Sequence, residues 1–314
     1  MASDVFSRFA VVGVLSDAPT SEVLLAVDQR SHRRLAIKIL RAAPDRNSAR
    51  AIVRLGRQLS ALDHPNVVRV FETGLFEHRP YAVMEYVDGI TLERVLEQGR
   101  LPLATALDVS EQIAGALSAI HEIGIAHRDL KPGNVLIESG WQVKLMDFGI
   151  AVSRSEEHRI DPPASDVYAF AEMAFRLCTG AYTVREWTST ALSAALDVTP
   201  AISDAWREAL TAMLVTMLGA RPELRPSMRE VRANLRALRD ALPSFEPVSL
   251  LEEANDRAVN GLLEQTFSSR AAAERWLALP NQILGGRAPA DLLRQRDYAR
   301  VEAALDALNS GVYV

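Results

Sequence analysis

The stretch His127-Arg128-Asp129-Leu130-Lys131-Pro132-Gly133-Asn134 is followed, downstream, by Asp147-Phe148-Gly149. Between them lie two apolar runs, Val135 to Ile137 and Val143 to Met146, separated by Ser139-Gly140, which read as a short hairpin. Taken alone, the first motif is a polar loop and the second a turn. Their order, with a hairpin between, argues against that reading and sets the frame for the rest of the chain.

Upstream the pattern is strand-rich. Phe9 to Leu15, Val23 to Val27 and Leu35 to Leu40 are β-branched or apolar runs separated by polar turns. A helix follows around Arg50 to Leu62, with Ile52, Leu55, Leu59 and Leu62 on one face, ended by His64-Pro65-Asn66. Two further strands are expected over Val67 to Phe71 and Tyr81 to Val87, stopped by Asp88-Gly89. Helices then dominate. Val109, Ile113, Ala116, Leu117 and Ile120 form one apolar face, and helical runs span Asp166 to Cys178, Ser203 to Leu218 and Ser227 to Ala241. Pro243, Ser244 and Pro247 mark a linker, and the remainder reads as a helical unit.

Composition bounds the function. The 314 residues carry 35 basic and 40 acidic side chains, a net charge of −5, which offers no electrostatic case for nucleic acid or an anionic membrane. The longest apolar stretch, Ala209 to Ala220, is too short to span a bilayer and contains threonines. Phe9 to Leu15 lacks the basic flank and small-residue site of a signal segment. The single cysteine, Cys178, permits no internal disulfide, so a reducing, cytoplasmic setting is expected.

Phosphoryl transfer from a nucleotide needs a cation on the phosphates, acidic ligands for magnesium, a carboxylate that orients the attacking hydroxyl, and a cover over the phosphates. His127-Arg128-Asp129 with Asn134 matches the H-R-D-x-x-x-x-N pattern of that chemistry, and the chain resembles a serine/threonine protein kinase from about Phe9 to Ala241. The resemblance implies ATP and Mg2+ as cofactors. It makes Asp129 the catalytic base, Lys131 a contact near the γ-phosphate, Asn134 and Asp147 the magnesium ligands, and Lys38 of Leu35-Ala36-Ile37-Lys38 the phosphate-binding lysine. Met84-Glu85-Tyr86-Val87 resembles the gatekeeper and hinge, with backbone groups of Glu85 and Val87 meeting adenine between Val23, Ala36 and Leu136. Those apolar residues are equally compatible with ordinary core. Asp166 resembles the buried aspartate that anchors the catalytic loop, and Arg225 the arginine near the end of the helical lobe.

Three departures stand out. Alignment on Val23 puts Ser16, Ala18 and Ser21 where such kinases carry the glycines of the phosphate-covering loop, and Pro19 removes an amide donor. Asp17 in that loop is expected to face phosphate; a like-charge pair at about 4 Å costs on the order of 4 kcal/mol at an effective dielectric near 20. Leu55 stands where an active kinase offers a glutamate to the lysine, so Lys38 is expected to find Asp147 or another acid. Asp147 and Asp166 are so close in sequence that the activation segment is nearly absent, with no Ala-Pro-Glu motif, leaving Arg225 without its usual glutamate.

Near the C-terminus, Arg270 to Leu279 reads as a helix stopped by Pro280; Leu284-Gly285-Gly286 reads as a turn, Pro289 as a helix start, and Gly311 as the cap of a last helix bearing Val301, Ala304, Leu305 and Leu308. These residues alone give a small helical hairpin module. The run Trp276-Leu277-x-x-Pro280-Asn281-x-x-Leu284-Gly285-Gly286-x-x-Pro289-x-x-Leu292-Leu293, ending in Gly311-Val312-Tyr313, resembles the toxin-binding domain of ParS/MbcA/Xre-type bacterial antitoxins. That resemblance implies a cognate toxin of the NAD-consuming RES type as partner. It makes Trp276, Asn281, Gly285, Gly286 and the tail Val312, Tyr313 and Val314 the toxin-binding residues. A structural extension of the helical lobe is the alternative.

The expected fold is therefore α+β: a two-lobed kinase-like fold and then a small all-α module. Its divisions are an N-lobe over 1–87, a C-lobe over 88–241, a linker over 242–254 and a toxin-binding domain over 255–314. The functional expectation is a kinase-like antitoxin of weak or atypical phosphotransferase activity that binds ATP and magnesium and captures a toxin. Two alternatives remain open: an inactive pseudokinase that neutralises by occlusion, and a regulatory kinase whose C-terminal unit mediates self-association into a homo-oligomer.

Overall fold

The computed structural model describes residues 8–41, 46–97, 101–147, 162–180, 187–196, 203–242, 257–267, 270–294 and 297–309. The expectations for Phe148, Gly149, most of the 242–254 linker, Gly311, and the tail Val312, Tyr313 and Val314 lie outside the described residues.

The first lobe is a five-stranded antiparallel sheet. It comprises β1 (Phe9–Asp17), β2 (Ser21–Asp28), β3 (Arg34–Leu40), β4 (Val70–Phe76) and β5 (Arg79–Glu85), in the order β1-β2-β3-β5-β4. Side chains alternate faces along a strand. Leu35, Ile37 and Ile39 therefore join Phe9, Ala26, Tyr81 and Val83 in a small outer core, while Ala36 turns inward with Ala82 and Met84 to the main core. Helix α1 (Arg46–Ser60) lies against the sheet. It approaches closely because Gly56 has no side chain: a Cβ there would stand 2.3 Å from the Thr73 side chain on β4.

Two strand bounds differ from the sequence reading. Val67 to Phe71 was expected as one strand, whereas β4 begins at Val70. The preceding residues pair with the other lobe instead. The Val68 N–H donates to the Leu145 carbonyl and the Leu145 N–H to the Asn66 carbonyl, each at 2.9 Å. The strand expected over Tyr81 to Val87 spans Arg79–Glu85.

The second lobe is mainly helical. A short three-stranded sheet, β6 (Ile90–Thr91), β7 (Val135–Ile137) and β8 (Val143–Leu145), carries the predicted hairpin, with Gly140 at φ +74° in its turn. After α2 (Leu92–Glu97), the long α3 (Leu103–Glu122) runs through the core and buries Leu107, Val109, Ile113, Ala116, Leu117 and Ile120. Against it pack α4 (Pro162–Thr179) and α7 (Met228–Asp240), while α5 (Ser189–Leu196) and α6 (Asp204–Met217) pack against each other and α4. The Ser203 side chain caps α6, and a Ser227–Glu230 capping box starts α7. Arg236 and Arg239 of α7 both reach the buried Glu111 of α3 at 2.7 Å.

The last four helices are α8 (Arg257–Thr266), α9 (Arg270–Ala278), α10 (Pro289–Arg294) and α11 (Tyr298–Asn309). They enclose a core of their own, built from Val259, Leu263, Leu277, Leu292, Val301 and Leu305 among others. The architecture is α+β: an antiparallel N-lobe, a helical C-lobe and a small helical C-terminal region. Among the described residues, no helix is long and apolar enough to cross a membrane.

Alanine is a better helix former than glycine by about 1 kcal/mol, yet Gly56→Ala is expected to destabilise the protein. Forcing α1 off the β-branched, stiff Thr73 should cost about 1–3 kcal/mol as overpacking. Urea unfolding measures it; a stabilised variant would contradict the close approach.

Candidate functional site

The loop 127–134 is held from beneath by one carboxylate. Asp166, 1% exposed on α4, accepts the backbone N–H of His127 at 2.7 Å and of Arg128 at 2.8 Å. The His121 Nε2 lies 2.8 Å from the same carboxylate. Arg128 sits at φ +65°, a left-handed conformation that a non-glycine residue adopts only when its surroundings hold it there. The two N–H bonds to Asp166 supply that hold.

Within the loop, the Asp129 carboxylate accepts from Lys131 Nζ at 2.8 Å and from Asn134 Nδ2 at 3.0 Å. Asn134 Nδ2 also donates to the Asp129 carbonyl at 2.7 Å. This fixes the amide so that its Oδ1 remains an oxygen donor for a cation. Burial alone would raise the Asp129 carboxyl's pKa. The hydrogen bonds from Lys131 and Asn134 outweigh it, and the net direction is downward, so the group stays an acceptor. The loop is tied to the second motif twice: the Met146 N–H donates to the Asn134 carbonyl at 3.0 Å, and His127 Nε2 meets the Met146 carbonyl at 2.9 Å.

Asp147 comes next in the chain, at φ +64°. Its Oδ1 lies 2.7 Å from Lys38 Nζ, an ion pair whose side chains are 28% and 13% exposed. Lys38 thus meets the partner the sequence left to it. Leu55 is where the glutamate would be: Leu55, Lys38, Ile52, Leu59, Val70 and Tyr81 line one small cavity of about 20 Å³ between α1 and the sheet, almost wholly apolar. Asn134 and Asp147 offer hard oxygen donors of the kind magnesium takes, and magnesium needs few from protein because it keeps water and phosphate ligands. The residues present fit that ion. Among the described residues, no group of three or more His, Cys, Asp or Glu is gathered to hold a metal.

The expected adenine walls come partly together. Val23 and Val87 pack against the cluster that contains Ala36 and Met84. Leu136 is half-buried on β7, across from Lys144 and Thr91. The Glu85 N–H donates to the Arg69 carbonyl at 2.9 Å, and its carboxylate pairs with Lys144 at 2.6 Å. Leu15 sits at a bulge of β1 between Val14, which pairs Leu24, and Ser16, which pairs Val23, and is 45% exposed.

One expectation is corrected. Asp17 does not face the phosphate side. It pairs with Glu22, and Glu22 with Ile39, so all three share the outer face of the sheet, whereas Ser16, Val23 and Lys38 share the inner one. A one-residue step in register decides the face, and counting from Val23 alone does not show it. Arg225, for its part, finds backbone in place of the absent glutamate: Nη1 donates to the Ala164 carbonyl at 2.8 Å and Nη2 to the Gly219 carbonyl at 2.9 Å, with the guanidinium 5.0 Å from the Tyr168 ring centre.

In the C-terminal helices, Trp276 is half-buried against Phe267, ring centres 5.7 Å apart, and its indole N–H is buried without an acceptor among the described residues. Asn281 organises the turn that follows. Its Oδ1 accepts the Ile283 N–H, its carbonyl accepts the Gly286 N–H, and its N–H donates to the Arg287 carbonyl, at 2.9, 2.9 and 3.0 Å. Gly285 and Gly286 take φ +67° and +78°, which explains their type. The turn presents Ile283, 50% exposed, a surface residue the sequence reading did not single out.

This geometry agrees with comparisons to known proteins. The protein kinase domain family matches residues 13–278, and the chain belongs to that family. Residues 262–311 match the antitoxin Xre/MbcA/ParS C-terminal toxin-binding domain, so a kinase domain and an antitoxin-type toxin-binding domain are joined in one chain. The two matches overlap over 262–278.

Among curated relatives, the chain is 36% identical over 197 residues to serine/threonine-protein kinase PrkC of Bacillus subtilis (strain 168), covering 55% of this chain and 30% of the relative. It is 41% identical over 151 residues to serine/threonine-protein kinase PknB of Mycobacterium leprae (strain TN), covering 46% of this chain and 24% of the relative. The chain therefore spans less than a third of either relative's length. The crystal structure of the Mycobacterium tuberculosis PknI kinase domain is similar at a TM-score of 0.61 and 29% identity, covering 74% of this chain and 96% of that one. The fold of an apo pseudokinase is similar too, at a TM-score of 0.60, 18% identity, and 77% and 96% coverage.

Burial is the largest influence on the fully enclosed His127 imidazole and holds its pKa below the ordinary 6.5; the Met146 carbonyl and nearby carboxylates oppose it only in part. The unfolded chain therefore accepts a proton that the folded one refuses. The stability is present above the unfolded pKa and is lost as pH falls through it. The thermal midpoint is expected to drop from about pH 7.5 to about pH 5.5, either side of the ordinary histidine value. His127→Asn should flatten that slope, to which His64, also lowered chiefly by burial, adds. An unchanged slope in the variant would exclude His127 as the group.

Proposed function

We propose that this chain is a kinase-like antitoxin: it binds ATP with magnesium between its lobes, captures a cognate toxin through its C-terminal helices, and phosphorylates a serine or threonine, slowly, on that toxin or on another docked protein. The observation that carries the reading is that Lys38, Asp129, Asn134 and Asp147 are brought into one constellation in a chain that also bears a toxin-binding domain. By the resemblance of the Trp276 to Leu293 run, the toxin is of the RES type. The two units divide within 242–254, since the helices from Arg257 onward pack into a separate core.

Magnesium, when bound, would neutralise phosphate charge. The rest falls to the chain. Backbone groups of Glu85 and Val87 meet adenine between Val23, Ala36 and Leu136. Lys38 leaves part of its bond with Asp147 for the phosphates, and Asp147 and Asn134 are the residues that would hold the metal. The Asp129 carboxylate, kept ionised by Lys131 and Asn134, orients the acceptor hydroxyl and takes its proton as the oxygen–phosphorus bond forms and the bond to ADP breaks. Lys131 then faces the transferred phosphoryl group. Without a full activation segment, the toxin-binding domain supplies docking by raising the local concentration of the substrate. The replacement of the lysine's glutamate by Leu55 favours a second reading, an inactive fold that neutralises by occlusion.

Labelled phosphate from ATP is expected to appear on the captured toxin with the wild-type chain and to fall by at least about 100-fold with Asp129→Asn or Asp147→Asn, the scale of a lost general base. Equal transfer by all three proteins, or none by any, would contradict phosphorylation. Cell survival against the toxin with both variants would then assign neutralisation to occlusion.

A further inference from the structure

The turn between β1 and β2 stands where a kinase's phosphate-covering loop would be, and it is closed by one side chain. Ala18 donates its N–H to the Ser21 carbonyl at 2.9 Å, and Pro19 has none to give. Arg41 follows β3, and its N–H extends the ladder to the Thr20 carbonyl at 3.0 Å. The Arg41 guanidinium then reaches back over the turn. Its Nε donates to the Ala18 carbonyl at 3.0 Å, and its Nη2 bonds the Asp17 carboxylate and stands 3.7 Å from Glu22. Asp17, Glu22 and Arg41 meet on the outer face, while Ser16, Val23 and Lys38 line the inner one.

We infer that Arg41 is a positioning residue for nucleotide phosphate, resting on the nucleotide-binding reading above: it clasps the β1–β2 turn and neutralises the Asp17 carboxylate, which the strand register sets on the outer face. Glycine lets an ordinary covering loop mould itself to phosphate. Here the loop lacks glycine, so its shape is fixed from outside, and the acid at its tip is neutralised by the same group. Removing Arg41 leaves two carboxylates, Asp17 and Glu22, unopposed on the outer face of the turn, across the sheet from a site that on that reading receives phosphate. The penalty is electrostatic, so it should fall on phosphates and not on the base. It should also weaken with salt.

The test is a double-mutant cycle read by calorimetry on the full chain, with MgATP and with adenosine as probes. Arg41→Ala should weaken MgATP binding by about 5- to 20-fold, the scale of a coupling of about 1–2 kcal/mol, and leave adenosine within about twofold. Asp17→Ala with Arg41→Ala should recover most of the loss, and Arg41→Lys should keep part of the affinity. Equal losses for MgATP and adenosine, or no recovery in the double variant, would overturn the inference and leave nucleotide binding standing. If the wild-type chain binds neither probe, both the inference and the nucleotide reading fall.

Discussion

The carboxylate of Asp166 is the contact on which the site depends. It is 1% exposed, and it accepts N–H bonds from two successive residues of the loop, one of them at a left-handed φ. Hydrogen bonds to a charged group contribute about 1.5–3 kcal/mol each, enough to offset the roughly 1–3 kcal/mol of an unfavourable backbone conformation. With Arg128 held, the chain turns so that Asn134 folds back onto Asp129, and the Asn134 carbonyl receives the Met146 N–H. That bond sets the place of Asp147. One buried charge on a helix of the C-lobe thus propagates through hydrogen bonds to Lys38 on the N-lobe sheet.

The departures from an ordinary kinase are each compensated locally. Arg225 takes two backbone carbonyls in place of a glutamate. The covering turn exchanges glycine for an arginine clasp. Leu55 exchanges an ion pair for apolar packing, and Gly56 beside it lets α1 press onto Thr73. The Lys38–Asp147 bond follows from that exchange, because Lys38 has lost its other partner. The same bond occupies an oxygen of the residue best placed to hold metal. On the proposed function, nucleotide entry would share Lys38 between phosphate and Asp147, which fits slow chemistry better than fast.

Much of this was legible in the sequence, and the remainder was not for identifiable reasons. The loop 127–134, the 135–145 hairpin, the Lys38 strand and the glycine turn at 285–286 are local signals, carried by residue types that tolerate few alternatives. Lys38 meeting Asp147 followed from the absence of an acid at Leu55. The face taken by Asp17 was misread because it depends on a bulge at Leu15, which changes the register by one residue without altering composition. The start of β4 was misread because Val67 and Val68 pair with β8, a contact far away in sequence. Glu111, a buried acid on the side of α3 opposite Val109, Ile113 and Ile120, finds its meaning only when Arg236 and Arg239 arrive from α7. Helix α5 is only eight residues long, too short to give a periodic signal.

On the proposed function, Asn134 and Asp147, tied together through Met146, form with Lys38 a metal-assisted nucleotide site despite those exchanges. The most direct measurement is the affinity of the intact chain for ATP with magnesium present and with magnesium chelated. The account predicts binding that weakens at least about tenfold, about 1.4 kcal/mol, when the metal is removed. Identical affinity in both conditions would contradict it.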